Sequence, residues 1–154
     1  MKTKDLIQEL FIQKRFAMVG VSRNSREFSR NLFGELTSRG YDVIPVNPSA
    51  KEIGGKTCYR TAKEIQPPVT KALIMTHASM IEQVLLDCAD AGITLVWVYG
   101  ISGSRDISVG AIDICKERGI ALVPGYCPYM FMPASSFFHR MHGYALKAFG
   151  DYPR

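Results

Sequence analysis

Three amphipathic stretches of this chain stop at a glycine, Gly40, Gly92 and Gly119, and each glycine leads directly into a short apolar run. That punctuation constrains the fold more than any other feature. A glycine just past a helix takes the left-handed conformation at no steric cost. A helix that hands over to a buried strand is the repeating step of an α/β chain. The apolar runs are Phe16–Val21, Tyr41–Val46, Val69–Met75, Leu95–Val98 and Ala121–Val123. Between them Phe28, Leu32 and Leu36 recur at helical spacing, as do Ile81, Val84, Leu85 and Cys88, then Ile107, Ala111, Ile114 and Cys115. Continuous apolar runs suit strands covered on both faces, and this alternation predicts parallel pairing through right-handed crossovers. The expected fold is an α/β, doubly wound, Rossmann-like parallel sheet of five strands in the order 3-2-1-4-5. Pro45 sits awkwardly in that order, because proline removes a ladder donor from a strand that would be internal.

At 154 residues the chain fits one domain, 1–154. Residues 1–14 predict an amphipathic helix with Leu6, Ile7, Leu10 and Phe11 on one side, rather than a signal peptide. Ser79 and Glu82 have the spacing of a capping box, and Ser104 or Asp106 is placed to cap the next helix. Residues 129–154 form an extension whose Phe137, Met141, Tyr144 and Ala148 make one apolar helical stripe, suited to packing on the sheet or to a homodimer. With 47% hydrophobic and 21% charged residues, disorder is excluded. The net charge of +5 suits a small polyanionic ligand, while the lack of any Lys/Arg cluster argues against nucleic acid. No run approaches the roughly 18 residues needed to span a bilayer. Four cysteines without a C-x-x-C pair read as reduced thiols in a cytoplasmic protein.

In an open parallel sheet the ligand sits beyond the carboxyl ends of the strands, where the winding reverses. For the expected order that crevice lies between the first and fourth strands, framed by Gly20-Val21-Ser22-Arg23-Asn24-Ser25 and by Tyr99-Gly100-Ile101-Ser102-Gly103. A helix start after the first loop supplies free backbone N–H groups for an anion. Ser22, Asn24, Ser25 and Ser29 add polar groups, and Arg23, Arg26 and Arg30 add charge. The loop is no dinucleotide fingerprint, since Ser22 and Ser25 stand where G-x-G-x-x-G needs glycine. Asn47-Pro48 stands where an acidic residue would hold a ribose, and no G-x-x-x-x-G-K-[ST] loop is present.

Several blocks carry a family resemblance: Val19-Gly20-Val21-Ser22, the run Gly40 to Pro48 with its V-x-P-V-N-P pattern, Gly54 to Tyr59, Val96 to Gly100, and Val123 to Pro128. Together they resemble the small CoA-binding domain family, related to the CoA-binding half of the succinyl-CoA synthetase alpha subunit. The resemblance implies coenzyme A or an acyl-CoA as ligand. It implies phosphates on the loop and helix of Gly20, Val21, Ser22, Arg23, Asn24 and Ser29. The adenosine end would lie near Asn47, Pro48 and Lys51, and Thr76, His77, Tyr99 and Gly100 would line the rest of the cleft, with Cys127 close by. Lys51 is also, on its own chemistry, a mobile point charge suited to phosphate.

Nothing in the chain assembles a nucleophile, a base and oxyanion donors, so a stand-alone binding module is the first reading. The alternatives are a CoA-dependent enzyme using Cys127 or His77, and a sensor that binds NAD(P) or another nucleotide in the same crevice. His139 and His142 share a helical face, but no carboxylate or cysteine pair supports a metal site with them. No protein partner can be assigned.

Overall fold

The computed structural model describes residues 1–132. The expected terminal helix with Phe137, Met141, Tyr144 and Ala148, and the pair His139 and His142, lie outside the described residues.

Five parallel strands form one sheet: β1 (Arg15–Val19), β2 (Asp42–Val46), β5 (Lys71–Ile74), β6 (Leu95–Tyr99) and β7 (Ala121–Tyr126). Two further short strands, β3 (Glu52–Ile53) and β4 (Lys56–Thr57), pair as a small antiparallel hairpin. The helices are α1 (Thr3–Ile12), α2 (Phe28–Ser38), α3 (Ile81–Asp90) and α4 (Val109–Arg118). Side chains alternate across the sheet as the pleat requires. Phe16, Met18, Leu73, Trp97 and Val123 pack with α1 and α2, whereas Ala17, Val19, Ala72, Ile74, Val96 and Val98 pack with α3 and α4. Both faces are therefore covered, as the unbroken apolar runs predict. The Trp97 indole is fully buried and donates to the Tyr126 carbonyl at 2.9 Å, which settles its one polar group.

The strand order corrects the sequence expectation. The sheet runs β2-β1-β5-β6-β7, which in the numbering of the five apolar runs is 2-1-3-4-5 and not 3-2-1-4-5. The second run is thus the edge strand, and the third lies inside. Pro45 is accommodated by that placement. Its carbonyl accepts from Tyr59 N, away from β1, so the missing N–H also faces the outer edge and the ladder to β1 loses nothing. Asp42 on the same strand is exposed and pairs with Arg15 and Lys56, as befits an edge. All four residues of β5 are buried, which fits a strand with neighbours on both sides.

The N-terminal helix forms where expected. Ile7 and Leu10 are buried, and the buried Lys71 ammonium donates to the Glu9 carbonyl at 2.9 Å and to its carboxylate at 3.1 Å, tying α1 to the start of β5. Gly40, Gly92 and Gly119 all take positive φ, as the helix stops require. The caps differ from the expected ones. His77, not a Ser79–Glu82 box, accepts from Ser79 N and heads a 3-10 turn at Ala78–Met80 before α3. Glu82 instead accepts a hydrogen bond from Ser108 Oγ at 2.8 Å. Ser108, rather than Ser104 or Asp106, caps α4 by accepting from Ala111 N. Among the described residues no helix is long and apolar enough to cross a membrane.

Candidate functional site

With β1 and β5 adjacent, the winding reverses between them, so the crevice lies between the first and third apolar runs rather than the first and fourth. Gly20 ends β1 at this point, with φ +91° and its N–H donated to the Val46 carbonyl at 2.9 Å. A Cβ there would sit 2.9 Å from both Thr76 N and Thr76 Cγ2. Only glycine lets the loop after β1 lie against the loop after β5 and still adopt that φ.

Two recesses open on either side of this junction. One is an apolar crevice of about 250 Å³ between the ends of β1 and β2 and the inner face of α3, with Gly20, Pro48, Ala62, Thr76 and Val84 in its wall. The other is a polar cleft of about 520 Å³ lined by Ser22, Arg23, Asn24, Asn47 and Ser49. The loops at Gly20–Ser22 and Asn47–Ser49 contribute to both.

The loop around the polar cleft is built from short hydrogen bonds. Ser22 N donates to Ser29 Oγ at 3.0 Å, Asn24 N to Ser22 Oγ at 3.0 Å, and Arg26 N to Asn24 Oδ1 at 3.0 Å. Asn47 staples two loops: its Nδ2 donates to the Val21 carbonyl and its Oδ1 accepts from Ser49 N, both at 2.8 Å. Arg23, Arg26 and Lys51 are exposed, Arg30 half-buried. The Arg23 guanidinium lies 3.5 Å from the Ser49 carbonyl, and that of Arg30 lies 3.5 Å from the Arg23 carbonyl. The helix that follows begins only at Phe28, so the loop is longer than a direct strand-to-helix turn.

Of the residues singled out in the sequence, Gly20, Ser22, Arg23, Asn24, Asn47, Pro48 and Thr76 meet at these two recesses. Ser29 supports the loop from behind, and the Val21 side chain is fully buried in the core, so only its backbone faces the loops. Lys51 is exposed on the neighbouring turn. His77 is exposed, and its Nδ1 lies 2.8 Å from Ser79 Oγ.

Tyr99, Gly100 and Cys127 belong to a separate region at the ends of β6 and β7. There Asp106 Oδ2 accepts from both Ile101 N and Ser102 N at 2.7 Å, and the Tyr99 ring packs on Phe28 at 5.2 Å. Gly125 lies so close to the Gly103 carbonyl that no Cβ fits. Cys127 is 1% exposed, and burial pushes its thiol up to about 11 against the opposing pull of hydrogen bonds from the Tyr129 and Met130 backbone. Burial likewise raises Tyr99, with the neighbouring Cys127 and Asp106 adding to it. All four cysteines are buried, and none is joined to another in a disulfide. Among the described residues no cluster of three or more His, Cys, Asp or Glu gathers as metal ligands.

The wall formed by Arg60, Thr61, Met80, Gln83 and Asp87 was missed in the sequence. Its signal is present, since Met80, Gln83 and Asp87 fall at one helical spacing. It becomes readable only once the crossover from β2 to β5 is known to bring α3 over the end of β1.

A parallel doubly wound sheet with a two-part recess at its switch point defines a Rossmann-like α/β ligand-binding protein. The chain belongs to the CoA binding domain family, which it matches over residues 14–133. It is 28% identical over 124 residues to an ADP-forming acetate–CoA ligase II of Archaeoglobus fulgidus, a match covering 75% of this chain and 18% of the ligase. It thus spans less than a fifth of that relative's length. It is 24% identical over 125 residues to the uncharacterized protein YneT of Bacillus subtilis, covering 80% of this chain and 87% of that protein. Among solved structures, a hypothetical protein from Pyrococcus horikoshii OT3 superimposes with a TM-score of 0.72 at 22% identity, covering 83% of this chain and 87% of that one. That likeness confirms the fold.

Proposed function

We propose that this chain binds coenzyme A or an acyl-CoA across the carboxyl edge of its sheet, as a stand-alone binding module. The observation that carries the reading is the pairing of unlike recesses on the two sides of Gly20. The polar cleft, with the exposed Arg23 in its wall and Arg30 against the Arg23 carbonyl, suits phosphates, whose negative charge the guanidinium groups attract. The apolar crevice of about 250 Å³ is smaller than a typical pocket for a drug-sized molecule. It suits one planar base, with the adenosine passing over Pro48. The pantetheine arm then runs along the strand ends past Thr76 and His77, stopping short of the closed loops that follow β6 and β7. Membership in the CoA binding domain family and the likeness to an acetate–CoA ligase support this ligand.

The enzyme alternative gains no support from the site. The Cys127 thiol is buried and raised, and the two backbone N–H groups nearest the Tyr99 end are already taken by Asp106. Nor does the NAD(P) alternative, because Asn47, at the position of the ribose-binding acid, spends both ends of its amide on backbone.

Calorimetry with CoA, dephospho-CoA and NAD tests the reading. CoA should bind tightest, through the added charge contacts of its 3′-phosphate. Equal or tighter binding of NAD overturns it.

A further inference from the structure

Beside the buried face of α3, the exposed Gln83 and the half-buried Asp87 bring two polar side chains to the crevice wall, which Arg60 and Thr61 also line. Gln83 Nε2 donates to Asp87 Oδ1 at 3.2 Å. That bond uses the donor end of the amide and one carboxylate oxygen, leaving Gln83 Oε1 and Asp87 Oδ2 as acceptors. Asp87 is half-buried, and no Lys or Arg pairs with it among the described residues. Elsewhere in the same wall, the Thr76 hydroxyl is buried without any hydrogen-bond partner. An unmet buried hydroxyl is destabilising, and a bound acceptor would relieve it. The crevice therefore presents paired acceptors on α3, with an unspent donor buried in its Thr76 wall, which rotation of that side chain would turn toward a ligand.

From this pattern we infer that Asp87, with Gln83, reads the exocyclic amino group of a 6-aminopurine, and that Thr76 donates to a nitrogen of the same ring. The inference rests on the CoA reading, and it adds the residues that select the base. An amino group donates toward the two acceptors, beside a ring nitrogen that accepts. A 6-oxopurine would instead turn its carbonyl oxygen on the Asp87 carboxylate, leaving both groups unpaired and mutually repelled in a site partly closed to water.

The test compares adenosine 3′,5′-bisphosphate with inosine 3′,5′-bisphosphate by calorimetry on the full chain, with CoA as the reference ligand. The unmodified protein should favour the adenine form at least tenfold. Asp87→Ala should bring that preference below threefold. Asp87→Asn, which keeps the shape but turns an amide donor into the crevice, should move the preference toward inosine. Thr76→Val, close in shape but without the hydroxyl, should weaken the adenine form severalfold without changing the melting temperature by more than a few degrees. CoA that binds while the two bisphosphates bind equally, or an Asp87→Asn protein that keeps the full adenine preference, overturns the base reading and leaves the CoA reading standing. Failure of CoA itself to bind defeats both.

Discussion

The two halves of the carboxyl edge of this sheet are built in opposite ways. At the ends of β1 and β5 the loops leave a crevice and a cleft, the Thr76 hydroxyl lacks a partner, and Arg23 and Lys51 face solvent. At the ends of β6 and β7 the polar groups turn inward on each other. Asp106 takes two backbone N–H groups, the Trp97 indole takes the Tyr126 carbonyl, and Gly125 closes on Gly103. Both regions depend on glycine, but the glycine does different work. Gly20 makes room beside a recess, whereas Gly100 and Gly125 let backbone and side chains fill the space completely. A loop at the ligand-bearing end of a parallel sheet is therefore not a binding loop by position alone. Both sets of loops are internally hydrogen-bonded. What separates them is whether they leave open space beside a solvent-facing cation and an unpartnered hydroxyl or fill that space with their own atoms.

The sharpest way to break this comparison is to place a negative charge in the first region. Ser22 is half-buried in the wall of the polar cleft, and its Oγ already accepts from Asn24 N. Ser22→Asp keeps an acceptor for that bond but sets a carboxylate against the incoming phosphates. CoA affinity should fall at least a hundredfold, with circular dichroism and melting temperature close to the parent's. A folded Ser22→Asp protein that binds CoA normally would place the ligand elsewhere.

The matching change in the second region should act on stability and leave the ligand alone. Asp106→Ala strips the acceptor from Ile101 N and Ser102 N. Two charge-assisted bonds to a half-buried carboxylate are lost, for a cost of about 1–3 kcal/mol after partial replacement by water. Chemical denaturation should show that loss, and CoA affinity should stay within about threefold. A large drop in affinity at full stability would mean that the Ile101–Ser102 loop touches the ligand and that the contrast between the regions is false.

How much of this was legible in the sequence follows the same division. The alternation of apolar runs with helices ending at Gly40, Gly92 and Gly119 was enough for the parallel sheet and its two covered faces. The loop after β1 stands out in the sequence because strand, glycine and polar and basic residues are contiguous there, and the structure sets that loop at the switch point. The strand order went astray because no local pattern says whether the chain returns across β1 or continues outward after β2. The correcting signals were nonetheless present: Pro45 and Asp42 mark β2 as an edge, and the unbroken Ala72-Leu73-Ile74 marks β5 as internal. Given that order, the switch point moves from Tyr99 to Thr76, and the α3 wall with Gln83 and Asp87 comes into the site. The caps misread at Ser79 and Ser104 have a different cause. Several hydroxyl and acidic residues precede each helix, and only tertiary partners, such as the Ser108–Glu82 bond between α4 and α3, choose among them.

The smallest expected effect concerns the thiol that sits deepest in the closed region. Cys127 is 1% exposed, and burial raises it to about 11 from an ordinary 9.0. The folded state thus holds the proton more tightly than the unfolded chain does. Stability from the protonated thiol is fully present below pH 9 and is withdrawn as pH rises toward about 11, by about 1.4 kcal/mol per pH unit. Cys127→Ala removes that contribution, so its unfolding free energy should fall less steeply than the parent's across this window, as urea titrations at a series of pH values would show. Below pH 9 the variant should lose only about 1 kcal/mol for the small cavity, and its CoA affinity should stay within about twofold. In the parent at pH 8, alkylation of this thiol should be at least a hundredfold slower in the folded chain than in urea, because little thiolate forms and the sulfur is covered. Rapid labelling in the native state, or loss of CoA binding in Cys127→Ala at unchanged stability, would show that the region at the ends of β6 and β7 opens onto the ligand after all.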